Sequence, residues 1–387
     1  MSRQQLLGYA RPDGQIGVRN IVAIIPAMPY ALPVARQIAG QVYGTRVITH
    51  LNGRGQAGAD LDLTRMTLAA LAANPNVAAT LVVGFEPKTA HAIASLAAAA
   101  APGRRVETVV VTGKGTLRAV EEGARVALDL VLGASRVDRV PFGLGDLIVG
   151  AECGGSDATS GLASNPAVGS AMDRIVDAGG TVMFNEVQEL IGAETALITR
   201  AANSEVARRI LEITDKAVRE AKDAGVDIAD ANPAPDNIAG GLTTLEEKSI
   251  GAVAKGGTSK IMGILDFGQR SPGPGLFIQD APAPAPESTA SMLAGGCHLI
   301  VFTTGQGNPA GSPLAPVIKV CAHPDTVVQM PENIDVDLSG VIAGQQTIRD
   351  GGDRVLAEIL AVAAGGLTRA EILGHDEFNI PRIGPVL

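Results

Sequence analysis

The feature of this sequence that most limits its fold is a regular alternation of short apolar runs with longer helix-forming segments. Residues Ile21 to Pro26 read as a buried strand, and a helix opens at Val34 to Ile38, directly after Pro33. The same order then repeats, with strands expected at 46–50, 79–84 and 106–111 and helices at 60–73 and 89–100. Strands that alternate with helices in this way predict a largely parallel sheet.

The second part of the chain repeats this pattern. A helix over Thr116 to Leu132 is followed by a turn, so we place a boundary near Ser135 to Phe142. Further helices are expected at 166–178, 187–192 and 205–224, and strands at 180–184, 260–264, 275–278 and 299–302. The sequence therefore predicts an α/β protein with two lobes of largely parallel sheets flanked by helices. The N-terminal lobe spans 1–140 and the C-terminal lobe spans 141–387.

Composition excludes several classes of partner. The net charge of -9 argues against nucleic acid and against a membrane surface, because binding to phosphates needs a clustered basic excess. No apolar stretch is long and uncharged enough to span a bilayer. The three cysteines are widely spaced and no apolar signal segment follows Met1, so we expect a soluble protein of the reducing cytoplasm.

One segment concentrates reactive side chains. Residues Glu152 to Leu162 carry a thiol at Cys153, carboxylates at Glu152 and Asp157, and hydroxyls that include Ser156, among several glycines. The segment follows the apolar run Asp146 to Gly150, which places it at the carboxyl end of a predicted strand, where ligands of α/β proteins bind. A glycine-rich turn around a buried structural cysteine is the alternative.

Polar loops also flank other predicted strands. Arg19 and Asn20 stand before the first strand, where a plain hairpin turn would look the same. His50, Arg54 and Gln56 follow the second strand. Lys88 follows the third, where a solvated turn is the alternative.

Two later loops complete the set of candidates. Gln306 and Asn308 follow the strand at 299–302, and Lys248 lies in a segment that opens a helix with hydroxyls. Free amides at such a helix start can hold a carboxylate or a sulfonate. Neither loop has the spacing of a phosphate loop or a dinucleotide fingerprint, so no nucleotide cofactor is expected.

Four ordered motifs together resemble the altronate and galactarate dehydratase family. They are Gly8 to Asn20, Glu152 to Pro166, Gly240 to Lys248 and Phe302 to Asn308, and the likeness covers nearly the whole chain. The resemblance implies a lyase that acts on 2-hydroxy acids, usually with iron (Fe2+).

The chain departs from the sugar-acid dehydratases in two respects. They usually carry an additional β-rich module, for which there is no room before Gly8, so a small β-rich partner subunit and a homo- or hetero-oligomer are implied. They also carry cysteines at three loop positions that match Tyr30, Arg54 and Pro87. Loss of all three thiols suggests a changed or lost metal site.

The substituted pattern is similar to the large subunits of sulfolactate sulfo-lyases, which share Gly53-Arg54 and Glu86-Pro87. Glu152, Gly155 and the segment Gly240 to Lys248 look more like the altronate branch. Arg54 and Lys88 would add cations for a substrate with both a sulfonate and a carboxylate. The equal alternative for Arg54 is a loop anchor that pairs with Asp60 or Asp62.

The expected reaction is a β-elimination from a small 2-hydroxy acid, with (2R)-3-sulfolactate giving pyruvate and sulfite as the first choice. A sugar-acid dehydratase of the altronate type is the alternative, and a noncatalytic acid-binding subunit is the third reading. Cys153, Glu152 and Asp157 form the expected metal-binding or proton-transfer cluster, with Cys153 and Glu152 as metal ligands and His50 as candidate base. The expected substrate-binding residues are Arg19, Asn20, Arg54, Gln56, Lys88, Ser156, Lys248, Gln306 and Asn308.

Overall fold

The computed structural model describes residues 6–385 and 387. The strands are β1 Leu6–Ala10, β2 Ile16–Gly17, β3 Ile21–Pro26, β4 Thr45–Val47, β5 Val77–Gly84, β6 Arg105–Val110, β7 Arg139–Phe142, β8 Ile148–Cys153, β9 Thr181–Phe184, β10 Ile261–Leu265, β11 Gly275–Gln279, β12 Leu299–Thr303, β13 Val317–Cys321 and β14 Val336–Asp337. None of the helices in the described residues has the length and apolar character needed to cross a membrane.

The helices are α1 Leu32–Ala39, α2 Gly58–Ala72, α3 Pro87–Ala100, α4 Thr116–Ala134, α5 Asn165–Asp177, α6 Glu194–Ile198, α7 Ser204–Asp223, α8 Ile228–Ala231, α9 Pro235–Ala239, α10 Leu245–Val253, α11 Ala285–Ala294, α12 Pro324–Gln329, α13 Ser339–Ile342, α14 Ile348–Ala363 and α15 Arg369–Leu373. Helices and parallel sheets thus alternate along the chain, and the α/β prediction is confirmed.

The first parallel sheet has four strands in the order β4-β3-β5-β6. Its central strands are continuous apolar runs because helices cover both faces of a parallel sheet. Each of its strands was predicted, to within two residues at most ends.

The second parallel sheet has seven strands in the order β10-β11-β9-β8-β12-β13-β14. The chain leaves β8 toward β9 on one side and later returns with β12 on the other side, so the strand order reverses at β8. A crevice at the carboxyl end of the strands opens at such a reversal, and ligands bind there. The loop that starts at Cys153 therefore lies at the topological switch point of this sheet.

A small antiparallel sheet, β2-β1-β7, begins with the hairpin that the sequence allowed near Asp13. Strand β7 lies where we expected only a boundary segment, because its residues alternate in exposure and pair with β1. The predicted helix at 187–192 is instead a single 3-10 turn, Val187–Glu189. The proposed division of the chain near residue 140 stays a prediction.

Candidate active site

A cavity of about 460 Å3 opens at the carboxyl ends of β8, β9 and β12. Three of the four sequence motifs contribute to its lining, with Cys153 to Ser156 from one, Lys248 from another and Asn308 from a third. The remaining wall comes from Gln188 and Glu189 and from loops around α8, α9 and the start of α11. The cavity is therefore the place where the candidate motifs converge.

Two glycine-rich loops are fastened together beside the cavity. The amide of Gly154 donates to Thr303 O at 3.1 Å, and the amides of Gly305 and Gln306 both donate to Gly155 O at 3.0 Å. Gly155 has a φ of 62°, a left-handed conformation that glycine adopts without steric cost. The loops are adjacent because β8 and β12 are neighbours in the sheet.

Four buried ionisable groups meet at the floor of the cavity. Cys153 Sγ lies 3.1 Å from Glu189 Oε2, 3.7 Å from Glu186 Oε2 and 3.0 Å from Lys255 Nζ. Lys255 also forms an ion pair with Glu186, and neither side chain has any exposed surface. We call Cys153, Glu186, Glu189 and Lys255 the thiol–carboxylate cluster.

The backbone at Glu186 is unusual. Among the described residues it is the one non-glycine residue with a positive φ, at 69°. Such a conformation costs roughly 1–3 kcal/mol and persists where the surroundings impose it. Here it turns the chain at the end of β9 so that Glu186 and Glu189 both reach the thiol.

Burial shifts the ionisation of this cluster. Burial and the charges of Glu186 and Glu189 raise the pKa of the Cys153 thiol well above its usual value. Burial also raises the pKa of Glu186 to about 7, although Lys255 opposes this effect. Burial would favour neutral Glu189, but Lys248 and Lys255 outweigh it and lower that pKa. A carboxyl group with a pKa near 7 is suited to proton transfer at neutral pH.

Lys248 uses all three of its ammonium donors inside the protein. They reach Glu189 Oε1 at 3.0 Å, Asn232 Oδ1 at 2.7 Å and Asn237 Oδ1 at 3.0 Å. An ammonium has three donors in total, so Lys248 has none left for a substrate anion in this arrangement. The expected role as an anion holder is replaced by one in fixing two loops and Glu189 around the cavity.

The cluster offers a donor set that suits a divalent metal. Ligand atoms of Cys153, Glu186 and Glu189 all lie within 4.8 Å of one another. One thiolate and two carboxylates are suitable ligands for a borderline transition metal. The set therefore fits a metal chemically, and it differs from the predicted pair of Cys153 and Glu152.

Glu152 stays outside this donor set because successive strand residues face opposite sides of a sheet. Its register partner is Phe302, whose own partner on β13 is Lys319, so these three side chains form a row on one face. Glu152 contacts Ser288 on α11, and Lys319 Nζ sits 3.3 Å from the centre of the Phe302 ring. Burial raises the pKa of Glu152 well above its usual value, and its Oε2 accepts a hydrogen bond from Ser288 Oγ.

Asp157 is also separate from the thiol. Its Oδ1 accepts from Thr159 Oγ1 and from the amide and hydroxyl of Ser160, at 2.8 to 3.0 Å. These bonds hold the turn that starts the following helical segment. Gly305 packs against the carboxylate, and Gly240 packs against Cα and Cβ of the same residue. The structure thus gives Asp157 a place in shaping the loop rather than in the cluster.

The structure does not bring His50 to the cavity. Its Nε2 lies 2.7 Å from Pro26 O, and its Nδ1 accepts from the Asn52 amide at 3.1 Å. Burial lowers its pKa to about 4. Both ring nitrogens are occupied by backbone groups, so the assignment of His50 as base is not supported. Gln56 Oε1 similarly accepts from Gly53 N in the same loop and from Thr64 Oγ1 on α2.

Five of the remaining candidates do not line the cavity. Arg19 pairs with Glu371 through two bonds of 2.7 and 2.8 Å, and Asn20 donates to Ala134 O at 2.8 Å. Both residues are structural anchors. Gln306 Nε2 donates to Asp236 O at 2.9 Å. Arg54, on a loop, and Lys88, in the first turn of α3, are exposed. The alternative pairing of Arg54 with Asp60 is not formed either, since Arg382 approaches Asp60 instead, at 3.9 Å.

The sequence reasoning missed Glu186, Glu189 and Lys255. The two glutamates had a usable signal, because they follow the predicted strand Gly180 to Phe184 as closely as the glycine-rich motif follows its own strand. We interpreted that stretch as a helix. Lys255 gave no signal, since a lysine before two glycines is typical of a solvated helix end.

Comparison with known proteins agrees with this architecture. Residues 144–386 match the C-terminal domain of D-galactarate/altronate dehydratases, and residues 8–135 match the second domain of D-galactarate dehydratase/altronate hydrolase. The chain is 38% identical over 379 residues to the (2R)-sulfolactate sulfo-lyase subunit beta of Chromohalobacter salexigens, which covers 97% of both chains. It is 31% identical to the altronate dehydratase of Escherichia coli K12, over 87% of this chain and 70% of that one.

These relatives are lyases, and the fold and cavity described above are those of an enzyme of that class. The chain belongs to the D-galactarate/altronate dehydratase family. The resemblance inferred from the four motifs is confirmed. One relative is named as a subunit, so that protein works with a partner chain.

Proposed function

We propose that this enzyme catalyses β-elimination from a small 2-hydroxy acid bound in the 460 Å3 cavity. The observation that carries the proposal is the buried thiol–carboxylate cluster at the cavity floor. Cys153 and Glu189 line the cavity directly, and Glu186 lies behind them. A proton acceptor and a cation are thus available together, as removal of a proton beside a carboxylate requires.

The proposed substrate is (2R)-3-sulfolactate. A base takes the proton from C2, the C3–S bond breaks, and sulfite leaves with its electron pair. The resulting enol takes a proton at C3 and becomes pyruvate. The 38% identity to a sulfo-lyase subunit across nearly the whole chain supports this choice over a sugar acid.

The chain's own residues supply the binding site and the proton transfer. Asn308 and Ser156 line the cavity and can donate to the substrate's anionic groups. The C2 proton passes to a carboxylate of the cluster, and Lys255 pairs with Glu186 in the arrangement seen here. Lys248 holds Glu189, Asn232 and Asn237 in place and so fixes this part of the cavity wall.

We further propose that Cys153, Glu186 and Glu189 are the residues that would hold iron (Fe2+). A bound divalent ion would supply Lewis-acid polarisation of a substrate oxygen. We also propose that a small second subunit completes the enzyme, because the sulfo-lyase relative is named as one subunit of a complex.

The test is an anaerobic assay of the chain with iron and its small partner, against sulfolactate and a panel of sugar acids. Sulfite and 2-keto acid are measured separately. We expect equal amounts of sulfite and pyruvate from sulfolactate. Keto acid without sulfite, formed from a sugar acid, would assign the altronate-type reaction that the 31% identical relative represents. Binding without either product would indicate a noncatalytic subunit.

A variant pair then tests the site. Cys153→Ala should abolish turnover in the complete complex, because it removes the centre of the cluster. Cys297→Ala is the matched control, since that cysteine is equally buried but packs against Met183, remote from the carboxylates. Full turnover by Cys153→Ala would show that the cluster is not the catalytic centre.

A further inference from the structure

Lys255 contacts two of the three members of the donor set. Its Nζ lies 3.0 Å from Cys153 Sγ and contacts Glu186 Oε2 as an ion pair. A divalent metal bonded to a thiolate sits about 2.3 Å from sulfur and about 2.0–2.2 Å from each carboxylate oxygen. An ion bonded to the same sulfur and the same carboxylate would lie close to the ammonium nitrogen, so the two positive charges would repel each other and compete for the same donors.

We propose that Lys255 is a built-in competitor for the metal at the Cys153–Glu186–Glu189 site. In the arrangement seen here its ammonium binds the thiol and the Glu186 carboxylate in place of a divalent ion. The ion binds only after the Lys255 side chain has moved away from the thiol. The inference rests on the proposed metal role of the cluster, but it does not depend on which substrate the enzyme uses.

The local structure restrains the backbone beside Lys255. Gly256, next in the chain, is packed so closely on Phe184 that a Cβ there would lie 2.9 Å from the ring. Gly257 is equally confined, with a Cβ position 2.5 Å from Asp173 Oδ1. We therefore expect the ammonium to be displaced by a change of side-chain rotamer rather than by a shift of the loop.

Another fully buried lysine, Lys319, is on β13 of the seven-stranded sheet. Lys319 lies on the opposite face, over Phe302, and contacts none of the three ligands. Removing its charge leaves the donor set unchanged. Lys319→Met is therefore a control for the general effect of deleting a buried ammonium.

The experiment measures cobalt(II) binding to the full chain by calorimetry and by the near-ultraviolet absorption of a thiolate-to-cobalt bond. We expect Lys255→Met to bind cobalt at least about tenfold more tightly than the wild type and to show the thiolate band. Tenfold tighter binding corresponds to about 1.4 kcal/mol. Lys319→Met should bind with the wild-type affinity. Cys153→Ala in the Lys255→Met background should lose the band.

If Lys255→Met has the wild-type circular dichroism spectrum and binds cobalt equally or more weakly than the wild type, the proposal that Lys255 competes with the metal is refuted. If Lys255→Met does not fold, a crystal structure of the wild type grown with cobalt decides the matter. Displacement of Lys255 Nζ from Cys153 Sγ supports the proposal, and an ion bound beside an unmoved Lys255 refutes it. If no folded variant binds cobalt, the cluster is not a metal site, and this conclusion does not depend on the result of the sulfite assay.

Discussion

Lys248 provides the sharpest test of how the cavity is held together. Its ammonium joins Glu189 to Asn232 and Asn237, and the side chains of Lys248 and Glu189 are only 9% and 8% exposed. Lys248→Met preserves the length and apolar stem of the side chain but removes all three bonds. The variant leaves the Glu189 carboxylate without its ion-pair partner Lys248. It also leaves the side-chain oxygens of Asn232 and Asn237 without this donor.

Removing one partner of a buried ion pair costs about 3–5 kcal/mol, because the other charge is then left unpaired. We expect that loss in the free energy of unfolding at pH 7. We also expect kcat/KM to fall by on the order of tenfold or more, because the loop that carries Asn232 and Asn237 loses its attachment. Lys114→Met is the matched control, since Lys114 pairs with Glu122 at the surface with both side chains 40% or more exposed. Such a pair contributes about 0–1 kcal/mol.

The assay is equilibrium urea unfolding followed by far-ultraviolet circular dichroism, because the chain has no tryptophan. A second variant, Lys248→Met with Glu189→Gln, should recover part of the lost stability, since no unpaired charge then remains. If Lys248→Met costs no more than Lys114→Met, the ammonium is not the element that fastens the cavity wall.

Two further predictions concern the rest of the molecule. Burial lowers the pKa of His50 to about 4, so the unfolded chain, whose histidine ionises near 6.5, binds the proton first as the pH falls. The free energy of unfolding should therefore decrease between pH 6.5 and pH 4. His50→Gln should reduce that slope by up to about 1.4 kcal/mol per pH unit. In Gly305→Ala the new Cβ would lie 2.1 Å from Asp157 Cγ, so we expect a loss of about 1–3 kcal/mol in urea unfolding and a lower kcat/KM, whereas Gly143→Ala, with open space around it, should behave as the wild type. An unchanged pH slope in His50→Gln, or wild-type stability in Gly305→Ala, would contradict these readings.

Local pattern was sufficient to predict the parallel strands and the loops at their carboxyl ends. Strand β8 and the polar segment that starts at Cys153 were both expected from a buried apolar run followed by glycines. The same reasoning placed Asn308 in a loop and Lys248 in a segment that opens a helix, and both residues line the cavity. It failed for His50 and Arg19, because a polar side chain at a strand end looks the same whether it contacts a ligand or a backbone carbonyl.

The sequence by itself determined the α/β class, the family and the strand-end position of the glycine-rich motif, because each depends on periodicity or on residues close together in the chain. Only the tertiary structure decided which groups meet the thiol. Glu186, Glu189 and Lys255 are separated from Cys153 by 33, 36 and 102 positions. The strand order brings them together at β8, where the order of the sheet reverses. Cys153 and Glu152 point to opposite faces of that strand, so only Cys153 joins the cluster. No local sequence pattern specifies the strand order or the pairing of distant charges, because both depend on how the helices pack across the sheet.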